Sequence, residues 1–227
     1  MCHASVIFFG VKNLTREDIE NKRVIDVGSH NYNGNMSIVA AKMNPKEYIG
    51  VDMIPGPGVD VVCLAENLVE KFGEESFDTV ISNELMEHAR NWRDVISNMK
   101  RILKPGGNIL LTTRGKGFKI HAYPHDYWRY DVEDMKKIFS DFDIEILIPD
   151  PQAPGVLLKA KKPHNFKEND LSAIDLFSVV TGMRSLTLSD KDVEIFMKNQ
   201  ERKKKLSSIK SSIMEFLLFP IKKLFRI

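Results

Sequence analysis

Val24-Ile25-Asp26-Val27-Gly28-Ser29-His30-Asn31-Tyr32-Asn33-Gly34-Asn35 decides the fold. Three apolar residues enclose one acid, Asp26, and the run breaks at Gly28 into a polar turn. A second apolar run, Tyr48-Ile49-Gly50-Val51, closes on another acid, Asp52. Strand, glycine turn, helix, strand, acid is the order of a nucleoside-binding α/β half.

The alternation continues outward from this stretch. Strands are expected over 23–28, 48–51, 59–64, 77–82, 108–112, 144–148 and 156–160. Helices are expected after the N-cap Thr15 and over 35–43, 66–72, 92–103 and 132–139. Lys104-Pro105-Gly106-Gly107 reads as a turn between a helix and a strand. Strands alternating with helices predict a parallel sheet covered on both faces, and the short link 149–155 predicts one antiparallel pair at its edge. After Pro163 the strand signals cease, so residues 166–227 are expected to be mostly helical or disordered. The expected division is a domain over 1–165 and an extension over 166–227.

The 227 residues are 43% apolar and 28% charged, a globular composition with enough apolar side chains for a real core. Cys2 and Cys63 are too few for a disulfide framework, which favours a reducing, cytoplasmic setting. The six histidines show no metal-ligand spacing, so no metal site is expected. The apolar patch at 6–9 has no basic region before it, unlike a signal peptide, and no run approaches the roughly 20 apolar residues of a membrane span.

Net charge is +2, unevenly spread. Nine bases against two acids give residues 198–227 a charge of +7 and leave −5 on the rest. In that tail Leu206, Ile209, Ile213, Phe216, Leu217 and Leu224 recur at helical spacing among lysines and serines, with Pro220 as an interruption. A basic amphipathic helix predicts peripheral contact with the inner membrane surface, or docking on the chain's own body or on a second copy as a homodimer. Nucleic acid is disfavoured, because few aromatics are interleaved for base stacking.

The nucleoside itself is narrowed by His30. A dinucleotide turn usually needs Gly-x-Gly-x-x-Gly, whose middle glycine lets backbone approach the pyrophosphate. Here His30 stands two residues after Gly28 and the next glycine is Gly34. S-adenosylmethionine has no pyrophosphate and needs less clearance, so the turn favours a methyl donor over a hydride carrier.

Residues 24–35, 48–52, 76–88 (Ser-Phe-Asp-Thr-Val-Ile-Ser-Asn-Glu-Leu-Met-Glu-His) and 103–112 (Leu-Lys-Pro-Gly-Gly-Asn-Ile-Leu-Leu-Thr) stand in one order and spacing. Together they resemble the class I S-adenosylmethionine-dependent methyltransferases, in the small type 11 branch, over about residues 23–163. The resemblance implies a Rossmann-like, doubly wound, seven-stranded and mostly parallel sheet with an antiparallel edge strand. It implies S-adenosylmethionine as cofactor, with O- or N-methylation of a small-molecule or a saccharide- or lipid-linked acceptor. Asp26, Gly28 and Ser29 then belong to the turn that receives the methionine end, Asp52 to the ribose, and Met53 to adenine. Relatives carry Asp-Ala-Glu after the third strand; this chain has Leu64-Ala65-Glu66, leaving Ala65 and Glu66 on the adenine side. Asn83 falls near the methyl group, with Glu84 beside it. A rival expectation is a non-catalytic cofactor-fold module recruited by its tail to a membrane or protein.

The substrate side is expected in His121-Ala122-Tyr123-Pro124-His125-Asp126-Tyr127-Trp128-Arg129-Tyr130, which follows the fifth strand. His125 is the candidate base or substrate orienter, Arg129 the candidate clamp for a carboxylate or phosphate, and Tyr127 part of an aromatic wall. The alternative reading packs Tyr127, Trp128 and Tyr130 under the following helix and pairs Asp126 with Arg129. His88, after Met86-Glu87, is expected to support the loop above the cofactor.

Overall fold

The computed structural model describes residues 4–31, 34, 36–121 and 124–225, with tail side chains described to Lys210. The helices are α1 (Ala4–Asn13), α2 (Arg16–Ile19), α3 (Ser37–Ala41), α4 (Leu68–Phe72), α5 (Trp92–Ile102), α6 (Val132–Ile138) and α7 (Asp190–Phe225). The strands are β1 (Arg23–Val27), β2 (Glu47–Asp52), β3 (Val61–Val62), β4 (Phe77–Asn83), β5 (Leu103–Arg114), β6 (Trp128–Arg129), β7 (Asp143–Pro149), β8 (Gly155–Lys161), β9 (Leu176–Ser178) and β10 (Arg184–Ser185).

Seven strands form one sheet in the order β3-β2-β1-β4-β5-β8-β7. The pairs from β3 to β5 are parallel, whereas β8 is antiparallel to both β5 and β7. The expected antiparallel pair at the edge is therefore β7 with β8, and the reversed strand lies one in from the edge. Strand order changes direction between β1 and β4, so their carboxyl ends open a crevice at the switch point.

Central strands buried on both faces read as nearly continuous apolar runs. Val24, Ile25, Asp26 and Val27 are all buried in β1, and six of the seven residues of β4 are buried. α5 turns Trp92, Val95, Ile96, Met99 and Ile102 inward at helical spacing. α1, which the sequence left unassigned, buries Val6 and Phe9, and Phe9 joins Val24, Ile81 and Leu110 in the core. Thr15 caps α2 by a capping box with Asp18. The predicted turn at 104–107 is instead the start of β5, since Leu103 already pairs with Phe77.

Residues 166–186 correct the expected boundary. They are not helical: β9 pairs with β6 and β10 in a second, three-stranded sheet. Arg93 of α5 donates to the carbonyls of Leu171 at 2.8 Å, Leu186 at 2.7 Å and Ile174. Buried Lys100 reaches Asp141 at 2.8 Å and Asn169 at 2.9 Å. Strands of two or three residues are too short to leave a period in sequence, which is why they were not legible. The compact units are Met1–Leu186 and Thr187–Ile227.

The second unit carries α7, whose N-terminus is capped where Asp192 N donates to Ser189 Oγ at 3.1 Å. α7 continues through Pro220, the predicted interruption, to Phe225.

Leu176 is fully buried in β9. Leu176→Ala is expected to cost about 2–5 kcal/mol in urea unfolding, the usual range for a buried leucine. An unchanged midpoint would show that 166–186 do not belong to the body.

Candidate active site

The turn after β1 is built on Gly28, whose φ of +83° is a conformation that side chains disfavour. A Cβ there would also stand 3.0 Å from Leu85. The amides of Gly28 and Ser29 both donate to Val51 O, at 2.8 and 3.0 Å, which ties the end of β1 to the end of β2. His30 N and Ile54 N donate to the two carboxylate oxygens of Asp52, each at 3.2 Å. Asp52 is thus held at the turn with lone pairs to spare.

His30 does not crowd this turn. Its ring lies over Gly56, where a Cβ would stand only 2.0 Å from Nε2. Asn31 N donates to Pro57 O at 2.8 Å, so the Pro55-Gly56-Pro57-Gly58 segment seats against the turn. That run was the sequence signal that the missing middle glycine had been answered elsewhere.

The groups around the turn fit a polar ligand with a cationic end. Ser29 Oγ is buried and has no hydrogen-bond partner among the described residues. Asp26 is 2% exposed and accepts from Tyr48 Oη at 2.6 Å. Burial pushes its carboxyl up to about 6, the Asp52 charge adds to the rise, and the Tyr48 hydrogen bond opposes it. Asn83 ends β4 nearly buried, 3.4 Å from Thr112 Oγ1. Ala65 and Glu66 are half-buried in a single 3₁₀ turn after β3. Met53 is 59% exposed. The turn residues, Asp52, Met53 and Asn83 all follow or end β1, β2 and β4 on the carboxyl side, and Ala65 and Glu66 follow β3.

The wall beyond β4 and β5 is made of buried charge. Glu84, at a left-handed φ of +58°, pairs with Arg114 Nε and accepts from Thr112 Oγ1 at 3.0 Å. Burial and the Glu87 charge push Glu84 up to about 8, with Arg114 and Thr112 opposing. Glu87 is fully buried and accepts from Thr113 Oγ1 at 2.9 Å. Burial would raise it, but His121 and His88 outweigh that and hold it below the ordinary value. His121 Nδ1 lies 3.2 Å from Asp126 Oδ2 and its Nε2 lies 3.6 Å from Glu87 Oε1. Burial would lower His121, yet these two carboxylates raise it to about 9.

Arg129 is a correction. Only 1% exposed, it donates to Asp126 Oδ1 at 2.5 Å and Oδ2 at 2.8 Å, and to the Trp128 carbonyl at 2.8 Å. A guanidinium so engaged holds the loop and is not available to clamp a ligand anion. Asp126 is correspondingly held below the usual carboxylate range: burial raises it, and Arg129 and His121 outweigh burial. Tyr127 is also built in, 7% exposed, with its amide on Glu87 O at 2.9 Å. Trp128 Nε1 donates to Arg90 O at 3.1 Å, and Tyr130 Oη to Met86 O at 3.1 Å. The packing reading of this loop is the one these contacts follow. His125 is exposed at the rim, its Nδ1 3.1 Å from Tyr127 Oη and its carbonyl bonded to His88 Nδ1. The buried Glu87 and the half-buried His88 and His121 gather instead in one cluster. Glu84-x-x-Glu87-His88 was visible in sequence, but His121 comes 33 residues later and only the fold joins them.

A family model described as a methyltransferase domain matches residues 7–145. The chain belongs to the class I S-adenosylmethionine-dependent methyltransferases. The family's cofactor is S-adenosylmethionine, and the turn, the orphaned Ser29 hydroxyl and the two acids fit it. A phthiotriol/phenolphthiotriol dimycocerosates methyltransferase from Mycobacterium leprae is 27% identical over 179 residues, covering 74% of this chain and 62% of that one. A fatty-acid O-methyltransferase from Mycolicibacterium smegmatis is 25% identical over 141 residues, 57% of this chain and 46% of that one. The chain thus spans less than two thirds of the length of these relatives. Among solved structures, the 1,6-didemethyltoxoflavin-N1-methyltransferase of Burkholderia thailandensis aligns with a TM-score of 0.55 at 15% identity, over 70% of this chain and 79% of that chain. That likeness establishes the fold.

The methyltransferase turn carries a pH signature. Because Asp26 is raised from 3.8 to about 6 on folding, its protonated form favours the fold. Stability from this group is full below pH 4 and declines as pH rises through about 6, by about 3 kcal/mol. Asp26→Asn is therefore expected to gain stability relative to wild type between pH 4 and 7 in urea titrations. A difference that shrinks over that window would contradict the assignment.

Proposed function

We propose that the chain transfers a methyl group from S-adenosylmethionine to an oxygen or nitrogen of a small-molecule or a lipid- or saccharide-linked acceptor. The observation that carries this reading is the Gly28–Ser29 turn locked to Val51 beside a half-satisfied Asp52, at the switch point between β1 and β4. Bound there, the cofactor supplies an electrophilic methyl carbon on a sulfonium. Asp26 meets a cationic amine, which would favour its ionised form and lower its carboxyl from about 6. Gly28 and the Ser29 hydroxyl receive the methionine end, and Asp52 accepts from ribose hydroxyls. Met53 and the 65–66 turn border adenine, and Asn83 lies toward the reacting side.

Methyl transfer needs alignment more than covalent help, and a base only when the acceptor carries an O–H or N–H proton. Glu87, His88 and His121 face the acceptor side, with His125 orienting the acceptor at the rim. The two mycobacterial relatives are named for lipid acceptors, which supports an acceptor with an apolar portion.

The tail suits such an acceptor. On α7, Leu206 and Ile209 are 59% and 56% exposed, flanked by exposed Lys203, Lys205 and Lys210. We place this helix against the anionic lipid surface of the cytoplasmic side. No helix among the described residues is long and apolar enough to cross a membrane. The full chain is expected to float with anionic vesicles, and the Leu206→Glu/Ile209→Glu variant to lose that; absence of wild-type flotation would remove the membrane assignment.

The cofactor assignment is tested by thermal unfolding. S-adenosylmethionine at about 100 times its dissociation constant should stabilise wild type by about 2.7 kcal/mol, and Asp52→Ala should lose most of that shift. An undiminished shift in Asp52→Ala would sink the assignment.

A further inference from the structure

Glu87, His88 and His121 each offer one ligand atom, and the three atoms lie within 4.8 Å of one another. Nothing in the cofactor site uses them. Their arrangement has the features of a metal site in both its inner and its outer contacts.

The two imidazoles are oriented by their Nδ1 atoms. His88 Nδ1 bonds the His125 carbonyl, and His121 Nδ1 faces the Asp126 carboxylate at 3.2 Å. The carbonyl on His88 Nδ1 is the outer-contact pattern of histidines that bind metal, and His121 Nδ1 stands at ion-pair distance from Asp126, so that a metal ion would take the place of the proton on its Nε2. Both Nε2 atoms then face one oxygen, Glu87 Oε1, at 3.8 Å for His88 and 3.6 Å for His121. That oxygen is buried and accepts no hydrogen bond among the described residues, while its sister Oε2 is held by Thr113. The separations are too long for direct hydrogen bonds. They approach the spacing of atoms bridged by a metal, since tetrahedral ligands about 2.0–2.1 Å from zinc stand about 3.4 Å apart.

We propose that Glu87 Oε1, His88 Nε2 and His121 Nε2 bind one divalent transition-metal ion, zinc by their donor set, with open coordination toward the acceptor. Two imidazoles and one carboxylate suit zinc and its neighbours, whereas magnesium prefers oxygen ligands. The ligand side chains of His88 and His121 are 21% and 20% exposed, so the site has a route from solvent. Asp126 is itself pinned by Arg129, which makes the buried Asp126–Arg129 pair the support that holds His121 in place. The ion would hold an oxygen of the acceptor, a hydroxyl or phosphate, for methylation; this use rests on the methyltransferase reading, but metal binding does not. The third ligand, His121, lies 33 residues beyond His88, which is why no metal-ligand spacing showed in sequence.

The test is a calorimetric titration of the metal-stripped full chain with zinc chloride, repeated with cobalt chloride while visible absorption is recorded. One equivalent is expected, with cobalt ligand-field bands of low coordination number. His88→Gln and His121→Gln, each checked for a native circular dichroism spectrum, should weaken binding by more than the roughly 10–100-fold typical of losing an outer-contact partner. His164→Gln, beside Gly106 at the start of β5, should bind as wild type does. Absence of a stoichiometric site in wild type, wild-type affinity in both site variants, or preference for magnesium over zinc would each overturn the proposal. Cofactor is absent from these titrations, so their failure is distinct from failure of the cofactor thermal shift.

Discussion

Two carboxylates three residues apart, Glu84 and Glu87, are buried behind the switch point, and the acceptor side of the molecule is arranged around that fact. A buried charge is tolerated only when paired and hydrogen-bonded, and stripping one partner from such a pair costs about 3–5 kcal/mol. Arg114 and Thr112 therefore come to Glu84, while Thr113, His88 and His121 come to Glu87. Alternation along β5 would place successive side chains on opposite faces, and the end of that strand supplies all three of Thr112, Thr113 and Arg114 to these acids. His121 in turn requires Asp126, and Asp126 requires Arg129. The loop that the sequence offered as a ligand clamp is the last link in this chain of compensation.

The cofactor side obeys a different constraint, close approach of backbone. Gly28 must turn with positive φ, and the carbonyl of Val51 takes two amides from that turn. His30 is accommodated because Gly56 leaves room for its ring. The outcome keeps Asp52 fixed by backbone and leaves its remaining lone pairs, and the Ser29 hydroxyl, for a ligand.

The α/β alternation was legible because strands buried on both faces leave apolar runs, as in β1 and β4, and because α5 repeats its apolar residues at helical spacing. The cofactor acids were legible for a related reason: Asp26 interrupts an apolar run and Asp52 ends one. Apart from α1, what failed to show in sequence was short or distant. β6, β9 and β10 have two or three residues each, below any period, and they carried residues 166–186 into the body. The direction in which a polar side chain spends its hydrogen bonds was equally invisible, so Arg129 read either as a ligand clamp or as the partner of Asp126, and His121 as one histidine among two. Composition identified the loop as polar and aromatic; only packing separates His121, beside Glu87, from His125 at the rim.

The most direct test of the central claim is a crystal structure of the full chain with S-adenosylhomocysteine. The account predicts the ribose hydroxyls on Asp52, the amino-acid end at Gly28 and Ser29, and the sulfur open toward Asn83 and the Glu87 side. Density for the nucleoside anywhere else, with Asp52 still bonded only to the amides of His30 and Ile54, would contradict it.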